Sequence, residues 1–267
     1  MINMYRPDGT KIDIQGYRGI KLSIPSPSFE YETEETESGH SVVIDKRLKP
    51  RNLEADFVGK GTTYVDSLLL RDEIYRLVAE DYFFITDSHL PHKWWKVRVS
   101  ESFTPERLNP FVQTYTIPLI CNTGLAESEG TTLEPFTHTS EKWQYGLGLI
   151  RSDNTKYVHD TPTFKIYNAG DVKIDPRKQP LKIIYMGGSN DLTIKNITTG
   201  DEWKYNGSSE ANDQITLDGV QSLKNDVCIF GQTNTNLITL AKGWNEFELK
   251  GFEESFLISF EHKFYYY

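Results

Sequence analysis

The chain has 267 residues, 37% of them hydrophobic and 13% aromatic, with a formal net charge of −9. That length accommodates two domains, each large enough to bury a core without disulfide or metal staples. The negative balance argues against sequence-independent nucleic-acid binding and against docking on anionic lipid, since both need clustered Lys and Arg.

Fifteen Tyr, 14 Phe and five Trp favour pleated surfaces and large protein contacts. Cys121 and Cys228 are the only cysteines, one in each expected domain, and read as two reduced, buried thiols. No apolar run approaches the ~20 residues needed to cross a bilayer, so no membrane partner is expected. The N-terminus, from Met1 to Gly9, lacks the basic and apolar blocks of a secretory signal. A protein made in the cytoplasm, without a signal peptide, is the expectation.

In chain order, Asp8-Gly9 marks a first hairpin, and alternation over Ile12 to Ile14 and Ile20 to Ile24 reads as strands. Pro25 and Pro27 then stop the ladder. Glu30, Glu32, Glu34, Glu35 and Glu37 interleave with Tyr31, Thr33 and Thr36, as on the polar face of a solvated hairpin or flexible arm. Gly39 and His40 would form its turn, with Ser41 to Ile44 returning.

One helix is marked, over residues 64–80, with Thr63 as cap and Asp66 three positions later. Leu70, Ile74, Leu77 and Val78 fall within an arc roughly 100° wide. Leu68 and Tyr75 form a second, smaller ridge, suited either to a neighbouring subunit or to burial within the domain. Asp81 to Ile85 reads as a strand. Trp95, Val97 and Val99 alternate with Trp94, Lys96 and Arg98 in another, and Phe111 to Ile120 supplies a third, with Pro118 marking an edge or bulge.

Composition shifts to Gly, Thr, Glu and Ser after Asn122, and the polar stretch ends near Pro162. The domain boundary is expected there, near Gly146, giving domains of 1–145 and 146–267. Beyond it, glycine and Asn-Gly turns separate short runs such as Leu181 to Met186, Leu192 to Ile197, Glu202 to Tyr205 and Leu237 to Leu240. In the last run Phe256, Ile258, Phe260, His262, Phe264 and Tyr266 share one face. This pattern predicts an antiparallel sandwich, so the fold class is mainly β.

No constellation of catalytic residues stands out. Phosphate loops, nucleophile elbows and Cys-x-x-Cys pairs are missing, and His89 and His92 lack a third ligand at a metal-site interval. Asp153-Asn154-Thr155 with Asp160 lacks the spacing and closing glutamate of a calcium loop. The chain is therefore read as a non-enzyme with no metal or cofactor.

A series of segments carries a resemblance. In the first half these are Asn52-Leu-Glu-Ala-Asp-Phe57, Leu69-Leu-Arg-Asp-Glu-Ile-Tyr75, Trp95-Lys-Val-Arg-Val99, Thr114 to Cys121 and Trp143 to Leu149. In the second they are Thr163 to Lys182, with Tyr167-Asn-Ala-Gly-Asp-Val172 inside it, Leu192-Thr-Ile-Lys-Asn196 and Gly243-Trp-Asn-Glu-Phe-Glu-Leu249. In order and joint presence they resemble the distal tail proteins of long-tailed phages, or siphophages, of Gram-positive bacteria.

The resemblance implies an N-terminal β-rich, split-barrel-like domain with one helix and a C-terminal galectin-like β-sandwich. It implies a homo-hexameric ring at the tail tip of the virion, joining the tail-tube protein to a tail-associated lysin or fibre protein. Receptor-binding or baseplate proteins would dock outside, and DNA would pass through a central channel without specific binding. The candidate subunit contacts are Ile20, Leu22 and Ile24 on an edge strand and the acidic arm Glu30, Glu32, Glu34, Glu35 and Glu37. The sandwich raises one alternative, a carbohydrate-binding module for host cell-wall glycans, with Trp203 and Trp244 as candidate stacking residues. A galectin's own sugar-binding set does not follow Trp203, where Lys-Tyr-Asn-Gly stands instead. Core or interface packing is the competing role for both Trp residues.

Overall fold

The computed structural model describes residues 1–13, 16–35, 41–135, 142–144, 146–149 and 155–267. They form two compact units, Met1–Glu127 with Tyr267, and Ser128–Tyr266. The division falls earlier than the boundary expected near Gly146. Thr132 and Ser128 are tied to the end of the chain: Thr132 Oγ1 donates to Phe260 O at 2.6 Å and Ser128 N to Phe264 O at 2.8 Å.

The first unit begins with β1 (Ile2–Tyr5), β2 (Lys11–Ile12) and β3 (Tyr17–Ser23), followed by β4 (Phe29–Glu35), β5 (Ser41–Leu48) and β6 (Arg51–Lys60). After α1 (Tyr64–Val78) come β7 (Phe83–Asp87), β8 (Lys93–Val99), β9 (Glu106–Asn109) and β10 (Val112–Cys121), with β11 (Ala126–Ser128) at the exit. Its main sheet runs β2-β1-β7-β8-β10-β6-β3, all antiparallel. Strict alternation on β6 and β10 puts Leu53 opposite Leu119, Ala55 opposite Ile117 and Phe57 opposite Tyr115, all buried. β3, at one end of this order, meets β1 near the other end by packing. At Gly19 of β3 an added Cβ would lie 2.6 Å from Ile2 Cβ of β1, so only glycine permits this approach.

The helix begins as its sequence dictates. Thr63 Oγ1 accepts from Asp66 N at 3.1 Å, and the Asp66 carboxylate accepts from Thr62 N at 2.6 Å. Leu70, Ile74 and Leu77 are buried, and Ser67 O and Leu70 O take hydrogen bonds from Gln113 Nε2 and Tyr17 Oη. Helix end and following strand shift by one or two residues from expectation, as frayed ends do. Pro118 sits inside β10 but at a local edge. Its carbonyl accepts from Ser100 N on the β8 side, where pairing starts only at Leu119, so its missing N–H leaves no strand partner unpaired.

Trp94 and Trp95 are both buried, where alternation had put Trp94 on a mixed face. Trp94 stacks on Tyr5 at 4.6 Å and meets Phe84 at 5.1 Å, so aromatic neighbours cover the outer side of the sheet.

The second unit holds β12 (Val158–His159), β13 (Thr163–Asn168), β14 (Leu181–Asn196), β15 (Glu202–Lys204) and β16 (Ser208–Ser209). It continues with β17 (Gln214–Asp218), β18 (Gln221–Lys224), β19 (Val227–Cys228), β20 (Gly243–His262) and β21 (Tyr265–Tyr266). The two runs expected at 181–186 and 192–197 join into the single strand β14, which pairs with β20 across two register shifts. Phe247 and Phe260 both lie on β20, yet their rings are 4.8 Å apart. Thirteen extended residues would span about 43 Å, so the strand doubles back and its halves face each other as two layers. Gly251 (φ 77°) and Glu254 (φ 51°) make the bend. Phe164 completes the aromatic core against both rings, at 5.5 and 5.7 Å.

Leu237 to Leu240 is not a strand, although Leu240 makes one bridge, to Ile174. Side chains satisfy its backbone instead: Asp201 Oδ2 accepts from Thr239 N at 3.0 Å, and Asn196 Nδ2 donates to Thr239 O at 2.8 Å. Cys121 is buried as expected, but Cys228 is exposed. Its two-residue strand ends the sheet, beyond a turn in which Asn225 and Asp226 are left-handed, so nothing covers the thiol.

Candidate assembly interface

Three surfaces of the first unit expose more apolar and charged groups than a solvated domain needs. β4 and β5 form a two-stranded sheet of their own. Lys49 N donates to Ser28 O at its base, at 3.0 Å, and Lys46 Nζ lies 3.9 Å from the Phe29 ring. Its proximal charges are compensated by Arg47, which meets Asp45 at 2.8 Å and Glu32 at 3.5 Å, and by Lys49, 3.8 Å from Glu30. Farther out, Glu34 faces Val42 and Glu35 faces Ser41, and neither carboxylate has an ion-pair partner among the described residues. Tyr31, Val42, Val43 and Ile44 are all more than half exposed. An isolated two-stranded ribbon is marginal in water, so this one needs a cover.

β3 is the second surface. It ends the sheet's path and, among the described residues, pairs only with β6, leaving an unpaired edge. Gly19 faces Phe57 and Lys21 faces Asp56, so Ile20 is the extra residue of a bulge and is thrown outward, 52% exposed. Ile24 is also exposed, whereas Leu22 is half-buried.

The third surface joins the start of α1 to the β9–β10 turn. Ser67 Oγ donates to Pro110 O at 3.3 Å and Gly61 N to Phe111 O at 2.9 Å, which fixes the turn against the helix. Asn109 Oδ1 caps the turn by accepting from Phe111 N and Val112 N. Tyr64, Val65, Leu69, Leu108 and Phe111 are exposed here. Arg107 lies 4.6 Å over the Tyr64 ring, and its hydrogen bond holds that hydroxyl below the usual tyrosine range. Lys60, opposite Val112, is a second exposed cation at the rim.

Residues 7–121 match the model of the phage tail protein RIFT-related domain. That match lies wholly within the first unit. The fold of the whole chain is similar to the crystal structure of SPP1 Dit, described as a paradigm of hub adsorption apparatus in phages infecting Gram-positive bacteria. That match has 15% identity, covers 99% of each chain and has a TM-score of 0.66. Two structures of the phage P2 baseplate in its activated conformation, with Ca and with Sr, match at 10% and 11% identity. Each covers 98% of this chain and 97% of its own, with TM-scores of 0.49 and 0.47. No curated protein sequence matches the chain. The mainly β, one-helix architecture read from the sequence is the Dit fold.

Of the residues singled out in the tail domain, Ile20 and Ile24 stand exposed on the edge strand, and Glu30, Glu32, Glu34 and Glu35 stand exposed on the separate hairpin. Glu37, Gly39 and His40 lie outside the described residues, as do Ile14, Asp153 and Asn154. Of the second helix ridge, Leu68 is half-buried and Tyr75 packs edge-on against Phe103 at 5.6 Å, within the unit. The apolar patch at Val65, Leu69, Leu108 and Phe111 was missed by sequence reasoning. Its residues come from α1 and from the β9–β10 turn, which only the fold brings together.

In the sandwich, Trp203 is 1% exposed and its Nε1 donates to Ser222 Oγ at 3.2 Å, so it cannot stack on a sugar. This corrects its place as a glycan candidate: β15 turns its ring into the core. Trp244 is 38% exposed and meets Tyr167 at 5.0 Å on the outer face. Among the described residues no three His, Cys, Asp or Glu side chains gather as metal ligands. An open polar cleft of about 450 Å³ in the tail domain is lined by Arg6, Lys11, Asp13, Glu73, Arg76 and Glu80. Arg6 and Glu80 are already paired across it at 2.7 Å.

Proposed function

We propose that this chain is a distal tail protein and serves as the structural hub at the tip of a siphophage tail. The observation that carries the reading is a tail domain over residues 7–121 within a chain that shares the SPP1 Dit fold from end to end. In this reading six copies close a ring through the tail domain, a heterologous contact repeated by rotation. Edge strand β3 and the β4–β5 hairpin make the subunit contacts. The ring joins the tail-tube protein on one side to a tail-associated lysin or fibre protein on the other, with receptor-binding or baseplate proteins around it. DNA passes through the channel, whose wall is acidic so that phosphates do not adhere. The protein belongs to the virion and does no chemistry of its own.

Light-scattering mass after size exclusion, with negative-stain images of the same fractions, tests this. A six-fold ring with a central channel is the expected result. A Lys- or Arg-lined lumen in a solved ring would overturn the acidic wall. The exposed Trp244 keeps one alternative in view, glycan binding by the sandwich. Cell-wall polysaccharide binding that disappears in folded Trp244→Ala protein would favour it.

A further inference from the structure

The hairpin's distal half and the patch beside α1 are both uncovered in the chain, and their chemistry is complementary. We propose that the β4–β5 hairpin of one copy docks its distal half on the α1/β9–β10 patch of a second copy. This rests on the ring reading and names the contact that closes the ring. The hairpin offers Tyr31, Val42, Val43 and Ile44, and the patch offers Val65, Leu69, Leu108 and Phe111. Each is too apolar to be left in water without a partner.

Charge fixes the choice of occupant. Near its base the hairpin neutralises its own carboxylates with Arg47 and Lys49. At its far end Glu34 and Glu35 are left without counter-ions among the described residues. The patch sets two exposed cations without carboxylate partners among the described residues, Arg107 and Lys60, beside exposed Glu106 and an Asp66 carboxylate that Thr62 already engages. A strand of this length reaches about 25 Å, so Glu35 and Ser41 lie well beyond the hairpin's base. Both surfaces stay exposed in the same chain, so the contact is between copies. Donor and acceptor surfaces differ, which makes the contact heterologous and suited to a ring or filament.

The test uses full-length protein with Cys228→Ser, to remove the exposed native thiol. Glu34→Cys combined with Leu108→Cys should give disulfide-linked dimers and higher species on mild oxidation, while either cysteine alone should not. Separately, Glu34→Lys with Glu35→Lys should weaken assembly roughly tenfold or more, by placing like charges together. Adding Lys60→Glu and Arg107→Glu in the same chain should restore it. Thermal melts matching the parent exclude misfolding as the cause. Assembly that proceeds with neither cross-link nor charge effect overturns this contact and leaves the hub reading standing. A chain that stays monomeric at every concentration overturns both.

Discussion

Trp203 and Trp244 are the same residue type in one sandwich, and backbone direction alone gives them opposite roles. Trp203 is enclosed and hydrogen-bonded, so Trp203→Ala should destabilise the sandwich by about 3–5 kcal/mol in thermal or denaturant unfolding. Trp244→Ala, at a partly exposed position, should cost about 1 kcal/mol or less. Equal effects would contradict the burial described. His262 offers a second test. It is 2% exposed, its Nδ1 lies 3.1 Å from Lys263 O, and Nε2 has no partner among the described residues. Burial pushes its pKa down from 6.5 to about 4. The unfolded chain therefore binds the proton first, and stability falls as pH drops from 6.5 to about 4, with the full contribution present above 6.5. That loss approaches about 3 kcal/mol. His262→Gln should flatten the melting temperature across that window relative to the parent, and an unchanged slope would rule the histidine out.

At the scale of elements, the bend in β20 depends on Gly251. A side chain there would meet Asn190 O and Asp191 O at 2.5 Å, in a left-handed conformation. Gly251→Ala should lower stability by about 1–3 kcal/mol and disturb the Phe247–Phe260 contact, read from near-ultraviolet circular dichroism. The β4–β5 hairpin is the opposite case, since it contributes little to its own unit. Replacing residues 30–47 with a short turn should leave the melting temperature within a few degrees and abolish ring assembly. A collapse in stability would show that the hairpin serves the fold instead. Element types were largely legible in the sequence. The Thr63 cap, the period of α1 and the alternation from Phe256 to Tyr266 are all local signals. Leu237 to Leu240 misled, because distant Asp201 and Asn196 supply the hydrogen bonds that a neighbouring strand would have made.

For the whole molecule, a net charge of −9 bears on partners rather than on fold. Assembled or not, the protein should fail to retard duplex DNA in a mobility assay at physiological salt. Retardation that weakens with added salt would mean a basic track and would contradict an acidic channel.

The sequence by itself determined the β-rich class, the capped helix, the acidic character of the hairpin, and the resemblance to distal tail proteins. These rest on periodicity, turn chemistry and residue order, which need no partner in space. Tertiary structure alone decided which Trp is buried, that Cys228 is exposed, and that β20 folds over on itself. It also decided that α1 and the β9–β10 turn share one apolar surface. Each of these depends on segments far apart in the chain meeting in space, and burial is a property of that meeting, not of the residue.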